Sequence, residues 1–459
     1  MSISALHVKP EEIDTPEKRA KYTVSIIGSE TSSIVCAYLF AEAGFKVVYA
    51  NPDQATANMI AKGKAHHLKQ ETESKLKSHV RNGRLIATSD IKSAVSQGNI
   101  IAVMMPPKID EKKKVDYSQM ENTCKKVGAS LCRDSLVIVL SVVGFGITES
   151  TIKQILEDTS GFRVGTDLGL AYSPIRVFDR QTLESVANRE LIVAAPEKNS
   201  LAAASAILGT IARKGIKKTL NVKTAEAGIL FEAVQYDANI ALTNEFGILC
   251  EKAGLDYLET QKLLSDVANS SVLFPMFTEK NVREETYLLL DSAESLNAKL
   301  RIPMIAREIN DDAVRHVVNL TQGALRECGK TLKRARIALL GITQTRNERS
   351  TPKAMVKELA RMLAAKGAKV NLHDPYLSEN ELAETQFPFK KSLVEALEGV
   401  DCAIISTGHD QFKRLNLNKL KFIMKKPAVI IDLEGVVEPD KIEKEGLIYR
   451  GLGRGVWKK

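Results

Sequence analysis

Apolar and polar positions follow two rhythms along this chain, and the switches between them divide it. From Tyr22 to about residue 215, short apolar, β-branched runs alternate with stretches of helical period. The runs Tyr22–Ile27, Lys46–Ala50, Arg84–Thr88, Asn99–Met105, Ser135–Ser141, Phe162–Val164 and Glu190–Ala194 read as buried strands. From Val222 to Lys252 the pattern becomes one long apolar-periodic helix closed by Gly254, and shorter helical patterns follow to about Gly329. Near Thr331 the strand–helix alternation restarts, with strands expected at Arg336–Leu340, Val370–His373, Cys402–Ser406 and Ala428–Asp432.

Near-continuous apolar strands separated by helices predict parallel sheets covered on both faces. The expected fold is α/β: two Rossmann-like doubly wound domains, 21–215 and 330–459, joined by an all-helical middle domain, 216–329, with a long central helix. Such a helix buries a broad face by spanning two domains or by dimerising, so a homodimer through it is expected. Residues 1–20 lack an apolar core and read as a polar tail, not a signal peptide.

Composition narrows the function classes. A chain of 459 residues, 44% hydrophobic and 26% charged, is a multidomain soluble protein, and no apolar run approaches the roughly 18 residues of a membrane span. Six dispersed cysteines (Cys36, Cys124, Cys132, Cys250, Cys328, Cys402) form no C-x-x-C pair and are expected as reduced thiols of a cytoplasmic protein. His66 and His67 are adjacent and point apart on a helix, so no metal site is expected. The net charge of +9 is spread out and suits anionic small molecules as well as nucleic acid, but no nucleic-acid motif accompanies it, so no nucleic-acid partner is expected.

The opening βαβ stretch, Tyr22–Asp53, has the layout of a dinucleotide-binding unit with altered chemistry. The three G-x-G-x-x-G positions are Gly28, Glu30 and Ser33. The second glycine lets backbone approach a pyrophosphate and the third lets helix pack on strand. A carboxylate at Glu30, about 4 Å from a phosphate, would cost roughly 1–4 kcal/mol. Asn51 stands where an acid accepts bonds from the adenosine ribose. Alternatively, Glu30 turns to solvent or to a lysine and leaves the cofactor site intact.

Further motifs follow in order: AEAGFKVV, GRLIATSDIKSAV, MMPPK, SVVGFGIT, YSP, DANIALTNEFGILCEKAGLD, AREIND, KGAKVNLHDPY, TGHDQFKRLNL and YRGLGRG. In this order and spacing the chain resembles the nucleotide-sugar dehydrogenase family (UDP-glucose, UDP-N-acetylmannosamine and GDP-mannose dehydrogenases) from Lys21 onward. The resemblance implies oxidation of a nucleotide-sugar alcohol to a carboxylate with NAD and a covalent thioester. That chemistry needs a cysteine, a lysine and an asparagine for the oxyanion, and acids for protons and water.

At the matching positions the chain has other residues. The nucleophile loop is FPMFTEKNVREETYLLLDSAE, with no cysteine, and the family's aspartate corresponds to Glu285. The lysine and asparagine positions, counted from Glu226, hold Ile229 and Ala233, and the glutamate of the strand-end P-E motif is Ile175. Cys250 and Cys328 fit apolar helix faces as core thiols. Near the implied site Glu232, Lys280, Arg283 and Glu285 are the available polar groups. The C-terminal turn LLGITQTRNERSTPKA lacks the family's lysine and paired aspartates but offers Arg346, Arg349, Ser350 and Lys353; Ser350 as helix cap beside these cations suits an anion such as a nucleotide phosphate, and equally a plain capped helix with solvated charges. Asp432 is followed by Glu434, where the family tends to have a basic residue. His409 and Asp410 read as a strand-end turn, and Arg307 and Asn310 as helix-packing residues.

The expected function is a nucleotide-sugar dehydrogenase-like protein with a degenerate active site that binds a nucleotide or nucleotide sugar or regulates. The alternative is an active NAD-linked oxidoreductase with relocated catalytic residues.

Overall fold

A computed structural model describes residues 4–65, 70–176, 186–268, 273–378 and 385–457; His66 and His67 lie outside them. The chain divides into two compact units, Met1–Ala233 with Glu284–Lys299, and Val234–Arg283 with Leu300–Lys459. The helical middle region is present, but its residues are shared between the two units and do not form a third.

The first unit is built on strands β1 (Thr23–Gly28), β2 (Lys46–Ala50), β3 (Leu85–Thr88), β4 (Ile100–Met104), β7 (Leu136–Val139), β8 (Gly169–Tyr172), β9 (Leu191–Ala194) and β10 (Ile216–Thr219), with a small hairpin of β5 (Lys108–Ile109) and β6 (Val115–Asp116). The main sheet runs β10-β9-β8-β7-β4-β1-β2-β3 and is parallel except between β8 and β9. Successive residues of β1 enter opposite layers: Val24 and Ile26 join one core, Ile27 the other. Both faces are therefore covered, which is why its strands carry no polar alternation.

Three expectations need correction here. The run Phe162–Val164 is not a strand; the sheet instead takes Gly169–Tyr172, where Gly169 admits the side chains of Leu136 and Leu6 at distances a Cβ would forbid. Edge strand β10 lay beyond the expected domain boundary, and its exposed Lys217 and Lys218 broke the apolar pattern, as suits an edge. The N-terminal segment is not a free polar tail. Ala5, Leu6, Val8 and Ile13 are buried, the amides of Ala5 and Leu6 donate to the Asp134 carbonyl at 3.0 and 3.1 Å, and Arg19 donates to the Ala43 carbonyl at 2.9 Å.

The principal helices are α1 (Thr31–Ala43), α2 (Val222–Ala253), α3 (Lys280–Ser295), α4 (Arg301–Glu327) and α5 (Ala354–Ala365). At 32 residues α2 closes on Gly254, whose φ of +69° ends the helix. In the second unit α2 and α4 are tied by a buried polar network. Arg307 donates to Asp237 at 3.0 Å, Asn310 to Asp237 at 2.8 Å, Asn244 to Asn310 at 3.0 Å and Thr278 to Asp237 at 3.1 Å. Arg307 and Asn310 are thus packing residues bonded between helices. The second sheet, β11 (Arg336–Leu340), β12 (Lys369–His373), β13 (Cys402–Ile405), β14 (Val429–Asp432) and β15 (Ile448–Gly451), is fully parallel in the order β12-β11-β13-β14-β15.

Leu6 is fully buried against the first sheet. Leu6→Ala is expected to lower stability by about 2–5 kcal/mol in denaturant unfolding, the usual cost of a core leucine; an unchanged midpoint would show that the segment is not docked.

Candidate functional site

In a doubly wound sheet ligands sit outside the carboxyl ends of the strands, at the point where strand order reverses. In the first unit that point lies between β1 and β4, and the turn after β1 is Gly28–Ser33. Ser33 is fully buried; its hydroxyl donates to the Glu30 carbonyl at 2.5 Å and lies 3.2 Å from the Tyr49 hydroxyl. Gly28 is required because a Cβ there would stand 2.3 Å from that of Ser33. Glu30 occupies the N-cap of α1 with an exposed side chain that does not cap the helix. Asn51 is 2% exposed: its Nδ2 donates to the Tyr49 hydroxyl and its Oδ1 accepts from the Asp53 amide, both at 2.9 Å. Both ends of the amide are thus engaged inside the fold. The turn therefore carries an exposed Glu30 at the helix N-terminus and an Asn51 whose amide is bonded within the fold.

Beyond β8 the chain stays extended through Ile175, whose amide donates to Leu140, and delivers Arg176. Arg176 grips Glu285 of α3 with two parallel bonds, Nε to Oε1 at 3.0 Å and Nη2 to Oε2 at 2.6 Å, and reaches Glu232 of α2 at 2.8 Å. The side chains of Arg176 and Glu285 are 7% and 6% exposed. Burial pushes the Glu285 carboxyl up to about 7 against the pull of Arg176. Arg176 went unnoticed in the sequence; its only signal is an arginine two residues past a strand-end proline. Ile175, Ile229 and Ala233 are all buried. Arg283 pairs instead with Asp311 at 3.3 Å in the second unit, and Lys280 is exposed.

The glycines of SVVGFGIT have defined work. Gly146, at φ +93°, and Thr148 donate their amides to buried Glu226 of α2, and the Gly144 amide donates to the Tyr117 hydroxyl at 2.9 Å. The free cysteines are buried except Cys132, and burial raises the thiols of Cys36, Cys124, Cys250, Cys328 and Cys402, so none of these five is a ready thiolate.

In the second unit strand order reverses between β11 and β13. The loop after β11 brings Arg346 and Lys353 to one carboxylate, Glu434. Arg346 Nε donates to Oε2 at 2.7 Å, Lys353 Nζ to Oε1 at 3.0 Å, and the Gly408 amide to Oε2 at 3.0 Å. Burial alone would raise this carboxyl, but Lys353, Arg346 and the Gly408 amide hold it at about 2. Glu434 is aimed there by Asp432, which accepts the amides of Glu434 and Val437 at 3.1 and 2.8 Å. Ser350 does not cap α5. Its hydroxyl accepts the Thr345 amide, residues through Pro352 are held by a bridge to Thr343, and α5 begins only at Ala354. Arg349 is exposed on the same loop.

His409 is fully buried and paired with Asp374, not Asp410. The Asn347 amide donates to its Nδ1 at 2.9 Å, which assigns the proton to Nε2, 3.2 Å from Asp374. Burial opposes ionisation of Asp374, but bonds from His409, Thr343 and Tyr376 prevail and keep its carboxyl below the usual value. Asp410 pairs with Lys413 at 2.9 Å. His409 therefore locks loops together.

Two largely parallel sheets of this topology, each covered by helices, define an α/β protein with two Rossmann-like domains. Residues 22–211 match the NAD binding domain of the UDP-glucose/GDP-mannose dehydrogenase family and residues 338–439 its UDP binding domain. The chain belongs to that family, as its motifs implied. It is similar to the UDP-N-acetyl-D-mannosamine dehydrogenase of Pyrococcus horikoshii, 26% identical over 435 residues, covering 94% of this chain and 99% of that protein. It is also similar to a UDP-N-acetyl-D-glucosamine 6-dehydrogenase of Pseudomonas aeruginosa, at 25% identity with 75% and 81% covered. The solved structure of the Pyrococcus horikoshii UDP-D-ManNAc dehydrogenase shares the fold, with a TM-score of 0.85 at 24% identity over 95% of this chain and 100% of that one. Among the described residues no helix is long and apolar enough to cross a membrane, and no cluster of three or more metal-ligating side chains occurs.

Glu434 yields a pH prediction. Its folded carboxyl, about 2, lies below the ordinary 4.5, so its contribution is fully present above pH 4.5 and is lost as pH falls toward 2. That contribution is at most about 3 kcal/mol. Stability measured against pH should fall over this window in the wild type and more shallowly in Glu434→Gln; equal slopes would refute the assignment.

Proposed function

We propose that this chain is a nucleotide-sugar dehydrogenase homologue that binds a nucleotide or nucleotide sugar through its C-terminal unit and does not carry out the family's NAD-dependent oxidation. The observation that carries this reading is the bidentate pairing of Glu285 with Arg176. The one carboxylate at the position of the family's loop aspartate, Glu285, is held by a guanidinium of its own chain. Around it, the oxyanion positions are buried Ile229 and Ala233, the strand-end acid is buried Ile175, and the sequence carries no cysteine between Cys250 and Cys328.

The turn at Gly28–Ser33 supports the same reading on the cofactor side, since Glu30 stands at the helix N-terminus and Asn51 is engaged inward. When bound, NAD would supply hydride acceptance; this chain's residues at the turn supply packing in its place. Buried free cysteines fit a reducing, cytoplasmic setting. The exposed Leu242, Phe246 and Leu249, spaced by four and three along α2, fit a homodimer through that helix.

One observation favours the rival reading of a working oxidoreductase with relocated groups: a carboxyl near neutrality is the usual signature of an acid–base residue. The two readings separate in one assay. With NAD and UDP-glucose, UDP-N-acetylmannosamine or GDP-mannose, no reduced nicotinamide is expected at any pH around neutrality, while UDP at millimolar concentration is expected to raise the melting temperature. Sugar-dependent reduction of NAD would overturn the proposal.

A further inference from the structure

The strongest unexplained feature outside the family chemistry is the company kept by Glu434. Two cations and a backbone N–H converge on its carboxylate at 2.7–3.0 Å. Three donors of that kind around one anion are the elements of a receptor for a phosphate or carboxylate. They stand at the strand-order reversal of the second sheet, where α/β ligands are held. The receptor is at the surface: the side chains of Arg346, Lys353 and Glu434 are 36%, 21% and 18% exposed, so solutes reach it.

We propose that Glu434 is a built-in occupant of an anion site, and that a phosphate ester binds there only by displacing it. This rests on the reading of the C-terminal unit as a nucleotide-binding unit.

The geometry fits a removable occupant. Glu434 reaches the site through a flexible side chain, while its backbone is fixed separately by Asp432 and by Gly435 at φ +64°. A rotation about side-chain bonds therefore empties the receptor without moving the turn. The Gly408 amide can approach the bound anion because residue 408 has no side chain; a Cβ there would meet Val436 at 2.2 Å and the Glu434 carboxylate at 3.2 Å. Lys353 is also held by the Ser406 carbonyl at 3.0 Å, so it keeps its position when Glu434 leaves. Any entering phosphate must displace a carboxylate already satisfied by three donors, which lowers its apparent affinity by the stability of that closed state.

The test compares wild type, Glu434→Gln and the double variant Arg346→Ala/Glu434→Gln by calorimetric titration with uridine, UDP and inorganic phosphate. The single variant is expected to bind UDP about 10- to 100-fold more tightly than wild type. The double variant should lose most of that gain, and uridine should not distinguish the three proteins. Response to inorganic phosphate together with UDP assigns the effect to the anion; response to UDP alone assigns it to a nucleotide phosphate held also by its base. A melting-temperature series adds a readout that a purely structural Glu434 would not move: Glu434→Gln should melt lower alone and recover with added UDP more than wild type does. Equal UDP affinity in wild type and Glu434→Gln overturns the occupant role while leaving nucleotide binding intact. No binding by either overturns both, and NAD reduction by wild type overturns only the noncatalytic reading.

Discussion

A carboxylate taken out of water must find a cation or donors, and the second unit depends on one such pairing. Asp237 and Arg307, 0% and 3% exposed, fasten α2 to α4, with Asn310, Asn244 and Thr278 completing the donor set. Removing one member of a buried pair typically costs about 3–5 kcal/mol because the other charge is stranded. The consequence extends beyond the two helices, since α4 packs on α5, β14 and β15, and its end is held to β15 by the Glu327–Arg450 ion pair. Strand β14 carries Asp432, and Asp432 fixes the turn that presents Glu434. The strand that presents Glu434 thus packs on a helix that this ion pair fastens.

The same rule explains the two strand-end sites and why their carboxyls diverge. Glu434 has two cations, an amide and partial contact with water, so attraction exceeds desolvation and the acid is held at about 2. Glu285 is more deeply buried and shares its one guanidinium with Glu232, so desolvation prevails and its carboxyl rises to about 7. Buried ion pairs are weak evidence of stability, because desolvation offsets most of the attraction. They are stronger evidence about ligands: a cation already satisfied from within the chain attracts an external anion less.

Much of the frame was legible because it is written in local periodicity. Strand β2 and strand β11 fall on the runs that predict them, and α2 differs from its expected span by one residue. Misses occur where local pattern and tertiary context part. Phe162–Val164 has strand composition but only three residues, and the sheet takes Gly169–Tyr172 because glycine admits Leu6 from the N-terminal segment. That segment looked free because its apolar residues follow no helical or strand period, although four of them are buried. Ser350 looked like a cap because Ser-Thr-Pro so often opens a helix, yet its hydroxyl serves Thr345. The site pairings were least legible of all: Arg176 and Glu285 are 109 residues apart, Arg346 and Glu434 88, and no local pattern encodes such contacts.

The turn at Gly28 shows how packing alone can require a glycine. A glycine there can serve a pyrophosphate or serve helix–strand packing, and the second demand is plain because Ser33 presses its Cβ into the space a side chain would need. Tyr49 then fills the layer beneath, joined to Ser33 on one side and Asn51 on the other. Once that chain of bonds exists, Asn51 turning outward toward a ribose would remove one bond to the Tyr49 hydroxyl and leave the Asp53 amide without its acceptor. Each unsatisfied buried group costs about 1–3 kcal/mol. Under the proposed function, then, the first turn is held closed by its own polar bonds, and a single substitution of Glu30 would remove a repulsion without recreating a cofactor site.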